Sequence, residues 1–442
     1  MEKSYLTNFS YLFVPFTIEE SDRFSEFYKR ITGENGWKST PITNRYLHKY
    51  VLDKIVWNDE TYNIHYQLDP DFAKACGLSL GTGRYGLNAK TYMGENNVNF
   101  PFVISNVELF VFNTSICVLA FELGFEDDDP CKIAAAQYYL RKISTERIRL
   151  LDTPEQTQGE SFVDISGRLL KNVAKDLNLD FFFYATPNNE KANFLTYIDV
   201  PAQESYDREL FYLKWCYHDG FSYDSAFDTE DSENYQANES TFWGISVSAA
   251  VCLVCRNGSR DEFIEKTFQK NFRKQYLMTY ILLLHQKYMM YLFLTKMSSG
   301  LDGNLEQLEK YKAQLYDFET HYMFSYVSEV PQYQRFYQKV RKMFMLDALF
   351  GDVQEPLLQL TEIKKEKAEK EQREYDSRIN TVLTTLSLLT IVSALTDASG
   401  ITANLNWFIP SEVARIIQLV ALGGVALVSL IMLFRLLFLK KR

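Results

Sequence analysis

Histidine is scarce in this chain of 442 residues, with five in all, His48, His65, His218, His285 and His321. None stand at the H-x-x-x-H or H-E-x-x-H spacing by which one helix face holds a zinc ion. A G-x-S-x-G nucleophile elbow and a P-loop are also missing. The chain is therefore not expected to be an enzyme, nor to carry a covalent cofactor. Cysteine is thin: Cys76, Cys117, Cys131, Cys216, Cys252 and Cys255 follow no disulfide spacing, which suits a reducing compartment. Cys252 and Cys255 form a C-x-x-C inside the apolar run Ile245–Cys255, with no second pair, so buried structural thiols are expected there. The first residues lack a basic stretch followed by an apolar one, so no cleaved secretory signal is expected.

Positive charge is short over most of the length. From Thr361 onward 11 Lys and Arg face 8 Asp and Glu, a local +3 that leaves −13 of the formal −10 on residues 1–360. An acidic body repels polyanions, so binding to DNA or long RNA is not expected, whereas one small nucleotide in a single basic pocket remains compatible. What is abundant is apolar and aromatic material. At 46% hydrophobic residues, with 33 Phe and 29 Tyr, the chain can bury a large core and is not disordered by composition.

Residues 1–260 read as a mixed α/β domain that would lie in the cytoplasm and sense a ligand. Tyr11–Phe16 looks like a strand, and Val107–Phe112 and Ile116–Leu123 flank Asn113-Thr114-Ser115 as a hairpin. The acidic stretch 224–240 reads as an exposed loop without the glycine and ligand spacing of a calcium loop. Residues 261–378 read as a long-helix stalk region, with helices over 263–297 and 305–327. A third helix after Pro331 is expected to break near Gly351 and Pro356. Between Thr361 and Arg378 six basic and six acidic residues recur at helical spacings without Gly or Pro, a solvated helix laced with ion pairs. It enters the following apolar segment with no linker, which predicts a stiff connection.

Two transmembrane helices are expected at the C-terminal end. The second, 413–439, has the stronger signal: Val413–Phe434 can cross a hydrocarbon core of roughly 30 Å, and Gly423-Gly424 suits close helix packing. The first, 379–396, is diluted: seven of the 17 residues from Ile379 to Leu395 are Asn, Thr or Ser. Basic residues Arg373, Arg378 and the tail 440–442 place both termini in the cytoplasm, with 397–412 as an extracytoplasmic loop. At 100° per residue, Asn380, Thr384, Ser387, Ile391 and Ala394 align within about 40°, with Thr390 and Asp397 displaced to one side, Asp397 near the outer end. By itself such a small, polar stripe favours helix packing over a water-filled pore. One two-span subunit cannot enclose a pore, but a ring of copies would place one stripe per subunit about an axis.

This plan, and the gap-free alignment of Asn380–Ile401 on a pore-lining first span, resemble the CorA family of divalent-cation transporters. The alignment puts Asn404-Leu405-Asn406 where that family has Gly-Met-Asn; the final Asn is kept and the Gly and Met are not. The resemblance covers residues 355–442. It implies a homo-oligomer, expected as a pentamer in the inner (cytoplasmic) membrane, whose pore is lined by Asn380, Thr384, Ser387, Ile391, Ala394 and Asp397. Asn404 and Asn406 would form an outer selectivity loop passing a hydrated, magnesium-like divalent cation. The divergent outer loop and large N-terminal domain are similar to the CorA-like effectors that accompany type III CRISPR systems. That branch implies a channel gated by a nucleotide messenger, such as adenylated S-adenosylmethionine, in antiviral defence. A constitutive magnesium transporter and a membrane-tethered scaffold remain as alternatives. For the ligand, Gly81-Thr-Gly-Arg-Tyr-Gly86 matches G-x-G-x-x-G without a preceding strand, so it reads first as a surface loop. Within it Gly81, Gly83, Arg84 and Tyr85 are the candidate binding residues, Arg84 for a phosphate and Tyr85 as a stacking face. Phe181–Tyr184 and Phe242-Trp243 are expected to pack in the core.

Overall fold

The run Asn8–Ile18 (β1) is apolar at nearly every position, and each residue after Asn8 is buried, as in a strand covered on both faces. The structure, a computed structural model, describes residues 7–405 except 19–22, 34–35, 56–63, 88, 91–96, 99, 152–158, 219, 225–231, 257–260 and 301–304. It also describes scattered positions between 410 and 431. The chain divides into two compact units, residues 1–358 and 359–442.

β1 lies at the middle of a 12-stranded sheet. Its other strands are β2 (Trp37–Ser39), β3 (His65–Leu68), β4 (Arg84–Leu87), β5 (Phe102–Val111), β6 (Ile116–Phe125), β7 (Ile148–Leu150), β8 (Leu179–Asp180), β9 (Asn193–Pro201), β10 (Ser232–Asn238), β11 (Thr241–Ser246) and β12 (Ala249–Arg256). The main path runs β10-β11-β12-β9-β1-β6-β5-β3-β2, with β8 on β1 and β4 bridging β5 and β7. Every pairing is antiparallel except β9 with β12. The expected hairpin is β5–β6, closed by Phe112 N–H donating to Ile116 O at 3.0 Å, with Ser115 at φ 69°. Pro15 sits mid-strand where β9 pairing has ended at Phe13 and β8 pairing has not begun until Thr17. That flank needs no N–H, so a proline is tolerated in a central strand.

Alternation of β1 side chains builds a layer on each face. Leu12, Val14, Phe16 and Ile18 join a core closed by α1 (Phe24–Ile31), α4 (Pro130–Leu140), α5 (Phe162–Ala174) and α6 (Asp207–Trp215). Two further short helices, α2 (Lys49–Ile55) and α3 (Pro70–Ala75), lie in the same unit. On the opposite face Phe9 meets Phe272 at 5.5 Å and Phe13 meets Tyr280 at 5.3 Å. Those partners belong to α7, the helical stretch from Asp261 to Gly300, which includes π-helical turns at Ile264–Phe268 and Phe272–Tyr276. Its residues are buried all round between Tyr276 and Met290, as its density of Tyr, Leu and Met predicts, and the burial takes in Thr279 and His285-Gln286-Lys287 as well. α8 (Leu305–Tyr322) and α9 (Pro331–Met343) follow, and α9 sets Phe336 against Trp243 of β11 at 4.7 Å. The helices expected as a stalk from 261 to 343 therefore lie within the first unit and cover one face of its sheet.

Three expectations change. Residues 232–238 of the acidic stretch are not a loop but the edge strand β10, whose side chains alternate between half-buried and exposed. A polar edge strand carries little apolar signal, and charge there discourages pairing with another chain. Lys339 and Lys342 fix Glu233 from α9. Burial alone would raise the Glu233 carboxyl, but those two hydrogen bonds outweigh it and hold it below its ordinary value. The helix break falls at Phe344-Met345, where Met345 has φ 53°, and not at Gly351 or Pro356. From Leu346 one helix, α10, runs to Leu405 with Pro356 inside it. That proline removes one backbone hydrogen bond, and Val353 and Leu357 beside it are fully buried. Finally, residues 397–405, expected as loop, are part of α10. No helix among the described residues is long and apolar enough to cross a membrane. Most of 413–439 and all of 440–442 lie outside the described residues.

Candidate functional site

The glycine-rich loop leads into β4. Gly81, at φ 71°, donates its N–H to Ile104 O at 2.8 Å, a conformation that favours glycine. A Cβ on Gly83 would stand 3.0 Å from the Ser79 carbonyl oxygen and 2.9 Å from the Ser79 Cβ. Gly83→Ala is accordingly expected to destabilise the first unit by about 1–3 kcal/mol, read as a lowered thermal midpoint. Tyr85 is 4% exposed, lies near Phe102, and accepts a hydrogen bond from Ser79 N–H at 3.1 Å. It offers no free stacking face, because its position in β4 points the ring into the core. Arg84 stays near the surface and makes a two-pronged ion pair with Glu126, at 2.5 and 2.7 Å. The hydrogen bonds from Arg84 hold the Glu126 carboxyl below its ordinary value.

Glu126 opens an acidic segment that sequence reasoning passed over. Between the end of β6 and the start of α4, Glu126 to Asp129 rim a cleft of about 750 Å³ whose other walls include Phe100, Phe125 and Ile133. Each carboxylate has a partner. Asp127 takes Lys132 at 2.8 Å, Asp128 takes Asn8 at 3.1 Å, and Asp129 caps α4 by accepting from Cys131 N–H at 2.9 Å. The cleft is in the usual size range for a small-molecule site. Apolar walls with a carboxylate rim suit a ligand bearing hydroxyl or amine donors around a flat ring. The Glu-Asp-Asp-Asp-Pro sequence directly after an apolar strand was the available signal.

On α10, Asn380, Ser387, Ala394 and Asp397 are exposed and Thr384 and Ile391 half-buried. Asn404 is within the helix, and Asn406 lies outside the described residues. The hydroxyls turn back on their own helix. Thr384 donates to Asn380 O at 2.7 Å, Ser387 to Leu383 O at 2.8 Å and Thr390 to Leu386 O at 2.6 Å. Thr381 and Thr385 do the same one turn back. With each proton committed internally, these oxygens present lone pairs outward as acceptors only. Apolar neighbours stand exposed on the same turns: Leu383 at 54%, Leu386 at 55% and Leu389 at 61%.

The aromatic clusters pack as expected, with Phe181, Phe183 and Trp243 buried. Cys252 and Cys255 are buried on β12, three residues apart and so on opposite faces of the sheet, where they cannot share one ion. Burial pushes the Cys252 thiol well above its ordinary value. Nothing among protein-family models, curated proteins or solved structures matches this chain. What the residues themselves define is a mixed α/β domain on a 12-stranded sheet followed by long helices.

Proposed function

We propose that this chain is a CorA-like cation channel of the inner membrane, a homopentamer gated by a small nucleotide bound to its α/β domain. Type III CRISPR antiviral defence is the setting that the resemblance favours. One observation carries the reading: hydroxyl oxygens at 384 and 387 on the stripe, and at 390 to one side of it, whose protons are spent on their own backbone, beside exposed leucines at 383, 386 and 389. Acceptor-only oxygens attract the water shell of a cation and repel anions, and the exposed leucines call for lipid or a neighbouring helix. Hydroxyls bonded to i−4 carbonyls also lower the cost of polar residues in hydrocarbon, since no donor is left unsatisfied. A magnesium-like ion that keeps its water suits such a lining.

The gating ligand is assigned to the cleft at Glu126–Asp129, whose carboxylates would meet its hydroxyl and amine donors, while Lys132 in the lining and Arg84, behind Glu126, are the cations set to meet a phosphate. Purified full-length protein in liposomes, given adenylated S-adenosylmethionine against an AMP control, should release trapped magnesium or potassium only with the former. No flux of any cation with either nucleotide would remove the reading's basis and leave the tethered scaffold. Flux without any nucleotide would favour the constitutive transporter. Arg84→Ala is expected to cost under about 1 kcal/mol of stability, because its ion pair is exposed. The same change should weaken nucleotide-dependent flux by roughly tenfold through a lost charge-assisted bond.

A further inference from the structure

Where α7 meets the sheet, the first unit buries a lysine without an acid beside it. Lys287 is 5% exposed and donates to Asn193 Oδ1 at 3.0 Å. That amide is otherwise committed: its Nδ2 donates to Val247 O at 2.7 Å and Ser248 O at 3.2 Å, and its oxygen also accepts from the Tyr288 hydroxyl at 3.2 Å. The charged group bearing on Lys287 is another cation, Arg141 at the end of α4, which donates to Trp215 O and Ser248 Oγ. On α7 itself the titratable neighbours are Tyr280, Tyr288 and Tyr291, with Tyr184 from the segment after β8 and Cys216 at the end of α6 behind them. Glu190 lies beyond Tyr184 and bonds Ser144. Among the described residues no ion pair joins Lys287 or Arg141 to a carboxylate.

Three rings lie against the ammonium, Phe344 nearest with its centroid 4.5 Å from Nζ, and Tyr288 and Tyr291 at 5.7 and 5.8 Å. Phe344 also meets Tyr280 edge-on at 5.7 Å. It is the last residue before Met345, whose left-handed backbone at φ 53° joins α9 to α10. A methionine there holds a conformation that glycine adopts at less cost, so this junction is poised to relax.

We infer that Lys287 is a proton-controlled latch beneath the Phe344-Met345 junction: the seam closes on the neutral amine and loosens at Phe344 when the ammonium forms. A buried charge needs a counter-charge or water, and here an amide oxygen and the rings of Phe344, Tyr288 and Tyr291 supply neither. Burial lowers the folded-state value from 10.5 to about 7. Between those two values the unfolded chain holds a proton that the folded chain lacks, so stability rises with pH across the window and is lowest below about pH 7. Protonation below that point can be met by moving Phe344 and admitting water.

Hydrogen–deuterium exchange of the full chain, corrected for intrinsic rates, tests this without reference to any channel activity. At pH 8.5 the backbone of 331–345 should be protected, and at pH 6 it should exchange roughly tenfold faster. Lys287→Met should keep the pH 8.5 protection at both values. A wild type with no pH dependence, or a Lys287→Met variant with the same dependence, overturns the latch. Should that variant not fold, Phe344→Leu keeps the lysine and removes the ring, and the midpoint should move to lower pH. An unmoved midpoint overturns the latch equally.

Discussion

Replacing Ser387 and Thr384 together by leucine is expected to cut nucleotide-dependent cation flux by at least about tenfold, because in the proposed pentamer it would exchange two rings of acceptor oxygens for hydrocarbon. Both side chains donate only to their own helix, so neither substitution strands a partner elsewhere. Helicity should persist, since leucine is the better helix former. If the stripe merely packs against another helix, the extra bulk would lower oligomer stability and flux together. Cross-linking to count subunits alongside the flux assay separates these outcomes. Unchanged assembly with lost flux is the expected pair.

The second large effect concerns the core on the α7 side of the sheet. Trp243 is fully buried on β11, 4.7 Å from Phe336, 4.9 Å from Tyr276 and 5.9 Å from Phe272. Trp243→Ala is expected to destabilise the first unit by about 3–5 kcal/mol, the ordinary cost of a large aromatic cavity. The indole N–H is buried and has no hydrogen-bond partner among the described residues, which already costs about 1–3 kcal/mol. Trp243→Phe should therefore lose much less than the cavity change. Chemical denaturation of the three proteins checks this contrast, and equal losses for Phe and Ala would contradict it.

The parts of this fold that could be read in advance are those whose burial is written in hydrophobic pattern. β1, the β5–β6 hairpin and α7 announce themselves because both faces of each are covered, leaving long apolar runs. β10 did not, because a polar edge strand owes its place to Glu233 reaching Lys339 and Lys342, more than 100 residues away. The order of the sheet, with β12 parallel to β9, also depends on long-range pairing that no local window carries. Among candidate site residues, neither the crowded backbone at Gly83, which reads as a flexible loop glycine, nor the burial of Tyr85 was legible, since a tyrosine after Gly-x-Gly-Arg fits a loop or a strand equally. The cleft at Glu126–Asp129 joins residues from 100 to 136 and appears only when the sheet is assembled. Lys287 was masked by its surroundings, because in His285-Gln286-Lys287 it reads as part of a polar turn on a helix that carries several other lysines.

Water access along α10 decides the central claim. Single cysteines placed in turn from 380 to 397 in the reconstituted protein, treated with a charged thiol reagent, report which positions meet water through the change in flux. Modification at 380, 384, 387, 391 and 394, with silence at 382, 386 and 389, is the predicted pattern. Reaction at 382, 386 and 389 instead, or at no position of the helix, would contradict it.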